Sequence, residues 1–281
     1  MALSPAELDA YCARIGYGGR REPSLAALRG IVAGHATAIP FENVDVLLGR
    51  RISLAPAALL DKLVRRRRGG YCFEHNTLLL QVLLTLGFAV EGLAGRVVWG
   101  RPDDSPGPRT HMLLRVVLPE GPYLADVGFG GLTLTAPLAL ALDAVQTTPH
   151  EPHRLTAQDE EIELQARLGS EWTRLYHFAP QRQFAIDYEV ANWFTATYPE
   201  GLFTNNLLCA RPDPDRRYAL FNRDFTIHPL GRASEKRTLG SAGELGEVLA
   251  RHFHLELPIS ELAEIDAVLD RSAHKGASAI G

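Results

Sequence analysis

Cys72, His111 and Asp126 are the residues of this chain whose types and order could make a thiol reactive. Cys72 stands in Arg68-Gly69-Gly70-Tyr71-Cys72-Phe73-Glu74-His75-Asn76, where a glycine pair delivers the chain to an apolar run, Thr77 to Leu84, that ends at Gly87. The thiol therefore falls in the first turn of a predicted helix, where unpaired N–H groups and the helix dipole favour an anion. A cysteine nucleophile needs that bias, because a free thiol titrates at about 8.5 and only the thiolate attacks. His111 opens a predicted strand in Thr110-His111-Met112-Leu113-Leu114, and Asp126 ends another in Leu124-Ala125-Asp126-Val127-Gly128. A thiol, a base and a carboxylate to orient that base are the parts of covalent acyl chemistry.

A cysteine ahead of an apolar helix is ordinarily a small core residue. Here the glycine pair costs chain entropy and needs a reason. Polar Glu74, His75 and Asn76 also crowd the start of an otherwise apolar helix. Parity puts His111 and Asp126 on one face, yet a hairpin centred on Glu120-Gly121 sets Asp126 opposite Arg115. Contact with His111 then requires a bulge or a longer loop. Cys72 and His75 form half of a zinc pattern without a second half, since Cys12 and Cys209 stand alone and His252-Phe253-His254 lacks a cysteine, so no metal is expected. Arg65 to Arg67 read as a solvated face, whereas Arg68 abuts the glycines and is expected to turn inward onto a carboxylate such as Glu42. The Gly-rich turn Val127 to Gly131 offers backbone N–H groups to a pyrophosphate only weakly. His228 and Thr204-Asn205-Asn206 suit either a cleft wall or turn caps.

The elements that must position these groups change period along the chain. Ser4-Pro5-Ala6-Glu7 is a capping box opening a helix that Gly16 stops. Further helices are predicted over 24–33, 56–67 and 72–86, with residues 39–44 extended between them. From Phe88 the period becomes two, and strands are predicted over 92–99, 111–118, 123–129, 153–157, 161–168 and 172–177, as in an antiparallel barrel or curled sheet. Residues 102–108 read as a flexible loop ahead of His111. A helix over 183–197 leads to a last unit with strands at 217–221 and 225–228, a second capping box at Ser241 to Glu244, and a terminal helix from about Glu261.

With 46% hydrophobic residues the 281-residue chain can bury two or three packed units around one cleft. A net charge of −4 argues against a nucleic-acid footprint. Three widely spaced cysteines suggest free thiols in a reducing cytoplasm. The most apolar stretch, Leu78 to Val90, is too short to span a bilayer, and the polar, capped start shows no leader, so a cytoplasmic location without membrane contact is expected. Oligomeric state is not set by any of these features.

Taken together, Pro40-Phe41-Glu42-Asn43, the Arg68 to Asn76 motif, Arg96-Val97-Val98-Trp99, Thr110-His111 and Asp126-Val127-Gly128-Phe129-Gly130 resemble the arylamine N-acetyltransferase family, in its bacterial branch. The resemblance implies an α+β fold: an N-terminal helical bundle (1–87) carrying the nucleophile, an antiparallel β-barrel (88–182) carrying His and Asp, an interdomain helix (183–200) and a C-terminal α/β lid (201–281). The triad would be placed as in papain-like cysteine proteases. It implies acetyl transfer from acetyl-CoA to the nitrogen of arylamines or arylhydrazines, ping-pong through an acetyl-cysteine on Cys72, with His111 as base and Asp126 as its orienter. Acetyl-CoA is then a cosubstrate and no metal takes part. Phe41, Tyr71, Val97, Phe129 and Phe203 would line the acceptor pocket, and Thr110, Gly128, Gly130, Phe203 and His228 would meet coenzyme A. The same triad also suits a cysteine hydrolase with water as acceptor, or an amide synthase acting on a large biosynthetic acyl chain; intact Cys72, His111 and Asp126 argue against a non-catalytic binding module.

Overall fold

Ser4 caps α1 (Pro5–Arg14) as its sequence predicts: its hydroxyl accepts the Glu7 N–H, and the Glu7 carboxylate accepts the Ser4 N–H at 2.9 Å. The computed structural model describes residues 2–101 and 107–278, so the centre of the loop read over 102–108 lies outside the described residues. Ser24 caps α2 (Leu25–Ala38), which runs past the expected stop near Ala33. Gly34 is no terminator there. A Cβ at Gly34 would lie 2.7 Å from the Ile15 carbonyl, so the glycine lets the end of α1 pass close to α2.

The segment read as extended over 39–44 is a strand only at β1 (Phe41–Glu42), and Val44 already begins α3 (Val44–Leu47). Pro56 opens α4 (Pro56–Leu59), which widens into a π-helical turn, Leu60–Arg65, where one regular helix to residue 67 was expected. Arg67 then takes a left-handed φ of 54°, and Gly69-Gly70 lead into α5 (Cys72–Thr85). Phe73, Leu78, Leu79, Val82 and Leu83 bury α5 against Tyr11, Leu28, Ile31 and Val32 in the first core.

Seven antiparallel strands follow: β2 (Ala89–Val97), β3 (His111–Leu118), β4 (Gly121–Ala125), β5 (Leu138–Ala139), β6 (His153–Gln158), β7 (Glu161–Leu168) and β8 (Glu171–Phe178). Their order is β5-β4-β3-β2-β8-β7-β6. Bridges from Leu142 to Leu155 and from Gln146 to His153 bring the chain after β5 back to β6, so the sheet nearly closes into a barrel. Leu93, Leu113, Leu124, Leu155, Leu164 and Leu175 fill it.

After α6 (Ala185–Thr197) and α7 (Leu202–Asn205) come β9 (Leu208–Asp213), β10 (Arg216–Phe221), β11 (Asp224–Pro229), β12 (Glu235–Thr238), α8 (Ala242–Phe253) and α9 (Ile259–Ser278). Of these, β9 and β12 were not read from the sequence. The lid sheet runs β1-β9-β10-β11-β12, so its edge strand comes from the helical bundle, with Phe41 opposite Ala210 and Glu42 opposite Cys209. Ser241 caps α8, but only half the expected box forms, because the Glu244 carboxylate accepts the Gly240 N–H instead. The whole is α+β: helical bundle, antiparallel barrel and α/β lid. Among the described residues no helix is long and apolar enough to cross a membrane.

Candidate active site

Two glycines bring the head of α5 to its place by closeness rather than by unusual torsions. A Cβ on Gly69 would stand 2.1 Å from the Pro40 carbonyl oxygen, and one on Gly70 would stand 2.7 Å from Glu74 Oε2. Gly70 bridges Phe41, its carbonyl accepting the Glu42 N–H at 2.8 Å. At the next residue the Glu74 carboxylate accepts the Tyr71 N–H at 3.1 Å, and Cys72 opens α5 with first-turn N–H groups that have no partner one turn back.

Below this turn lies a buried ionic cluster. Arg68 donates to Glu42 Oε1 through Nη2 at 3.0 Å and Nε at 3.2 Å, and through Nη1 to Glu261 of α9 at 3.2 Å. Lys62 joins Glu74 at 2.8 Å and Asp45 at 2.7 Å. Arg65 and Arg66 stay exposed. His75 does not face a metal partner. Its Nε2–H donates to the Pro40 carbonyl (3.1 Å), its Nδ1 accepts from His35 Nε2 (2.9 Å), and His35 Nδ1 accepts from the Tyr11 hydroxyl (2.8 Å). One tautomer for each ring satisfies this chain. Burial pushes His75 down to about 4 and His35 well below its ordinary value, so both rings are neutral. Among the described residues no group of three or more His, Cys, Asp or Glu is arranged to hold a metal ion.

His111 and Asp126 meet without a bulge or a longer loop. Leu118 pairs with Gly121, so the turn is Pro119-Glu120, one residue earlier than expected. Proline presets φ for the first turn position, which favours that choice. The one-residue slip moves each pairing by two. Continued past Ala125, the register puts Asp126 across from Leu113, on the same face as His111 and diagonal to it, within reach of long side chains. His111 Nε2 lies 2.6 Å from Asp126 Oδ2, which leaves Nδ1 as the ring nitrogen for Cys72, and Cys72 and His111 line one cavity. The Cys72 thiol also lies 3.5 Å from the Thr110 carbonyl.

The pair is polarised. Burial works against a charged His111, but the Asp126 carboxylate outweighs it and raises the imidazole to about 10. Burial likewise opposes the Asp126 charge, while His111 and the donors from Asn76 and Gly128 hold it below the usual carboxylate range. Asn76 was singled out in the sequence only as a polar residue near the helix start. It donates through Nδ2 to Asp126 Oδ1 (2.9 Å) and to the Met112 carbonyl (2.7 Å), and accepts the Val127 N–H (3.1 Å). Its position four residues after Cys72, on one helix face, was the available signal. The Phe129 and Tyr176 rings pack on His111 at 5.3 and 4.8 Å. Among the described residues the buried Tyr176 hydroxyl has no hydrogen-bond partner, and burial, then the Asp126 charge, raises it well above its ordinary value.

Gly128 closes the joint between helix and barrel. A Cβ there would sit 2.7 Å from Cys72 Cα and 3.1 Å from the Cys72 carbonyl oxygen. Gly128→Ala should push the 127–130 turn off α5, costing about 1–3 kcal/mol as an overpacked contact does. It should also slow Cys72 chemistry at least tenfold, a shift of roughly 1.4 kcal/mol or more in the barrier. Urea unfolding and the rate of Cys72 alkylation by iodoacetamide check the two effects. Unchanged values for both would show that the turn yields freely.

A cavity of about 450 Å³ opens over Cys72 and His111. Phe41, Val97, Thr110, Gly128, Phe129, Gly130 and Phe203 all line it, with Trp99 and Cys209, neither of which was expected in the pocket. The lid hairpin supplies Ala219, Phe221 and Thr226. Tyr71 is not in this wall. It is fully buried, its ring 5.9 Å from that of Phe203 and its hydroxyl on Asn192 of α6. His228 is exposed, bonded to Ser234 at 2.7 Å. It lies outside the cavity, on the same hairpin face as Thr226 and opposite Arg217.

The profile of the N-acetyltransferase family matches residues 24–262. The chain is 46% identical over 255 residues to the arylamine N-acetyltransferase of Mycolicibacterium smegmatis, covering 89% of this chain and 92% of that one. It belongs to the arylamine N-acetyltransferase family. The Escherichia coli arylamine N-acetyltransferase is 41% identical over 277 residues, 96% of this chain and 98% of that one. Among solved structures, the Mycobacterium marinum arylamine N-acetyltransferase in complex with CoA superposes with a TM-score of 0.89 at 43% identity, covering 93% of this chain and 99% of that one. Bundle, barrel and lid are thus the family's shared architecture.

Proposed function

We propose that this family member transfers acetyl groups from acetyl-CoA to the nitrogen of arylamines or arylhydrazines through an acetyl-Cys72 intermediate. The observation that carries the reading is the line Cys72–His111–Asp126, buried at the floor of an apolar cavity and polarised toward an imidazolium. The Cys72 thiolate attacks the thioester carbonyl carbon, forming a C–S bond. The C–S bond to coenzyme A breaks, and His111 gives its proton to the departing thiolate. The amine nitrogen then attacks the acetyl-cysteine, His111 takes the nitrogen's proton, and Cys72 leaves as thiolate beside a restored imidazolium. Asp126 holds the ring's tautomer and stabilises its charge throughout. The Cys72 N–H at the head of α5 is the oxyanion donor.

Phe41, Val97, Phe129 and Phe203 serve as the apolar walls for a flat aromatic amine, with Tyr71 backing Phe203. Thr110, Gly128, Gly130 and Phe203 meet the pantetheine arm, and His228 meets coenzyme A farther along the lid hairpin. A cavity of about 450 Å³ suits a small acyl group and one aromatic ring better than a large biosynthetic acyl chain. Its apolar lining disfavours water as acceptor, which supports transfer over hydrolysis.

Intact-mass measurement after acetyl-CoA alone should show a single added acetyl, mapped by proteolysis to Cys72. An aniline or hydrazine added next should clear it and appear N-acetylated. Label on Cys12 or Cys209, or product formed only when both substrates are present with no acetylated enzyme, would sink the proposal.

A further inference from the structure

We infer that Asn43 is a positioning residue for Phe203 and so sets the width of the acceptor pocket, an inference that rests on reading the cavity over Cys72 as that pocket. Asn43 stands at the N-cap of α3, where an asparagine ordinarily accepts an N–H of its own first turn. It makes no such bond. The Glu42 carboxylate accepts the Val44 N–H instead, and the buried Asn43 side chain turns to the lid. Its Nδ2 donates to the Phe203 carbonyl at 2.8 Å and to the Asn206 carbonyl at 2.7 Å, and its Oδ1 accepts the Leu208 N–H at 2.7 Å. Strand β1 pairs with β9 through Phe41–Ala210 and Glu42–Cys209, and that register, continued by one residue, sets Asn43 opposite Leu208. The main chain has by then turned into α3, so the side-chain amide supplies the next rung of the ladder.

The segment that Asn43 holds cannot place itself. Helix α7 has four residues, far fewer than the roughly 12–15 at which an isolated helix becomes even marginal, and it fully buries none of its side chains. Its start is tied locally, by Thr204 to the Tyr198 and Gly201 carbonyls and by Asn205 to the Pro199 carbonyl. Its end is gripped by Asn43 from the bundle and by Asn222 from the β10–β11 turn. Asn222, at a left-handed φ of 55°, accepts the Leu207 N–H and donates to Asn206 Oδ1, each at 2.9 Å. Of the two, Asn43 is the one that bonds Phe203 itself. The Phe203 ring stands 5.9 Å from that of Phe41, and both rings line the cavity. Phe41 hangs from the strand that ends one residue before Asn43. One short stretch, 41–43, therefore fixes both walls, and the hold of Asn43 on α7 decides the gap between them. A shift of about 1 Å in such a wall can cost on the order of 10²-fold in rate.

Asn43→Asp keeps an acceptor for the Leu208 N–H but turns the donor to Phe203 and Asn206 into an oxygen facing two carbonyls. In that variant kcat/KM for aniline should fall roughly tenfold or more, carried by KM, while that for a two-ring naphthylamine falls less. Alkylation of Cys72 by iodoacetamide should stay at the wild-type rate, because the triad is untouched. In a Phe203→Ala background Asn43→Asp should leave the ratio of the two amines where Phe203→Ala put it, as expected of a residue acting through that ring. Amide exchange over 201–208 should quicken roughly tenfold or more without any substrate. Asn43→Ser, which adds no charge, serves if Asn43→Asp does not fold, and loss of folding in both would make Asn43 purely structural and overturn the inference. So would an unchanged amine ratio with unchanged exchange, or an Asn43 effect undiminished in Phe203→Ala. A wild type that acetylates neither amine, with exchange still quickened in Asn43→Asp, would leave the tether standing and count against the proposed function alone.

Discussion

Asp126→Asn should leave the protein folded and lower the acetylation of Cys72 by roughly 10⁴-fold, the scale of losing the orienting carboxylate in a triad. Asparagine fills the same space and keeps bonds to Asn76 and Gly128, but it cannot hold a charged imidazole. Burial then dominates at His111, and the ring falls from about 10 to below its ordinary 6.5. Iodoacetamide reports this directly. In the wild type, alkylation of Cys72 should persist at pH 6 to 7, where His111 is an imidazolium. In Asp126→Asn it should be lost at that pH. Identical profiles in wild type, Asp126→Asn and His111→Ala would dismiss the triad.

The same pair makes a signed contribution to stability. His111 is raised in the folded state, so its contribution is complete below 6.5 and is lost as pH rises through about 10. Asp126 is lowered, so its contribution is complete above 3.8 and is lost as pH falls through its depressed value. Unfolding free energy should thus decline between pH 6.5 and 10 in the wild type and lose most of that slope in Asp126→Asn.

Breaking the buried ion pair should have the larger effect on stability. Glu42 is fully buried, Arg68 is nearly so, and Glu42 Oε2 also accepts the Val44 N–H at 2.7 Å. Arg68→Met or Glu42→Gln should each cost about 3–5 kcal/mol, because each strips the other buried charge of its nearest partner. Urea unfolding of the double variant should show less than the sum. Glu261 and Asp45 share the Arg68 cation, so Glu42→Gln should be the milder of the two single changes. Strictly additive losses would mean that Glu42 and Arg68 do not interact.

Much of this site was legible in the chain because its parts are local. The Gly-Gly-Tyr-Cys turn, the helix after it and the alternating strand that His111 opens each announce themselves within ten residues, whereas Asp126 stands just past β4, which ends at Ala125 where a strand to Phe129 was expected. The inward turn of Arg68 onto Glu42 followed from the cost of an unpaired buried charge. What escaped is relational. The His111–Asp126 register depends on which residue opens a two-residue turn. Strand β9 hides because Leu208-Cys209-Ala210-Arg211-Pro212-Asp213 has no alternation and is almost wholly buried, like a strand covered on both faces. Trp99, Cys209 and the lid hairpin join the cavity only through tertiary packing. His228, assigned to coenzyme A by resemblance, stands outside the cavity, the exposed residue of an otherwise half-buried strand.

The division of the triad between bundle and barrel has a consequence for synthesis. Cys72 leaves the ribosome before Asp126 has been made, and its helix can form while the thiol still lacks a base. Reactivity arrives only when Asn76 and Gly128 dock α5 onto the turn after β4. Under the proposed mechanism a nascent or misassembled chain is therefore chemically quiet toward thioesters, however complete its α5. Thiol reactivity at Cys72 doubles as a gauge of correct assembly, one that pulse-labelling during refolding can read out.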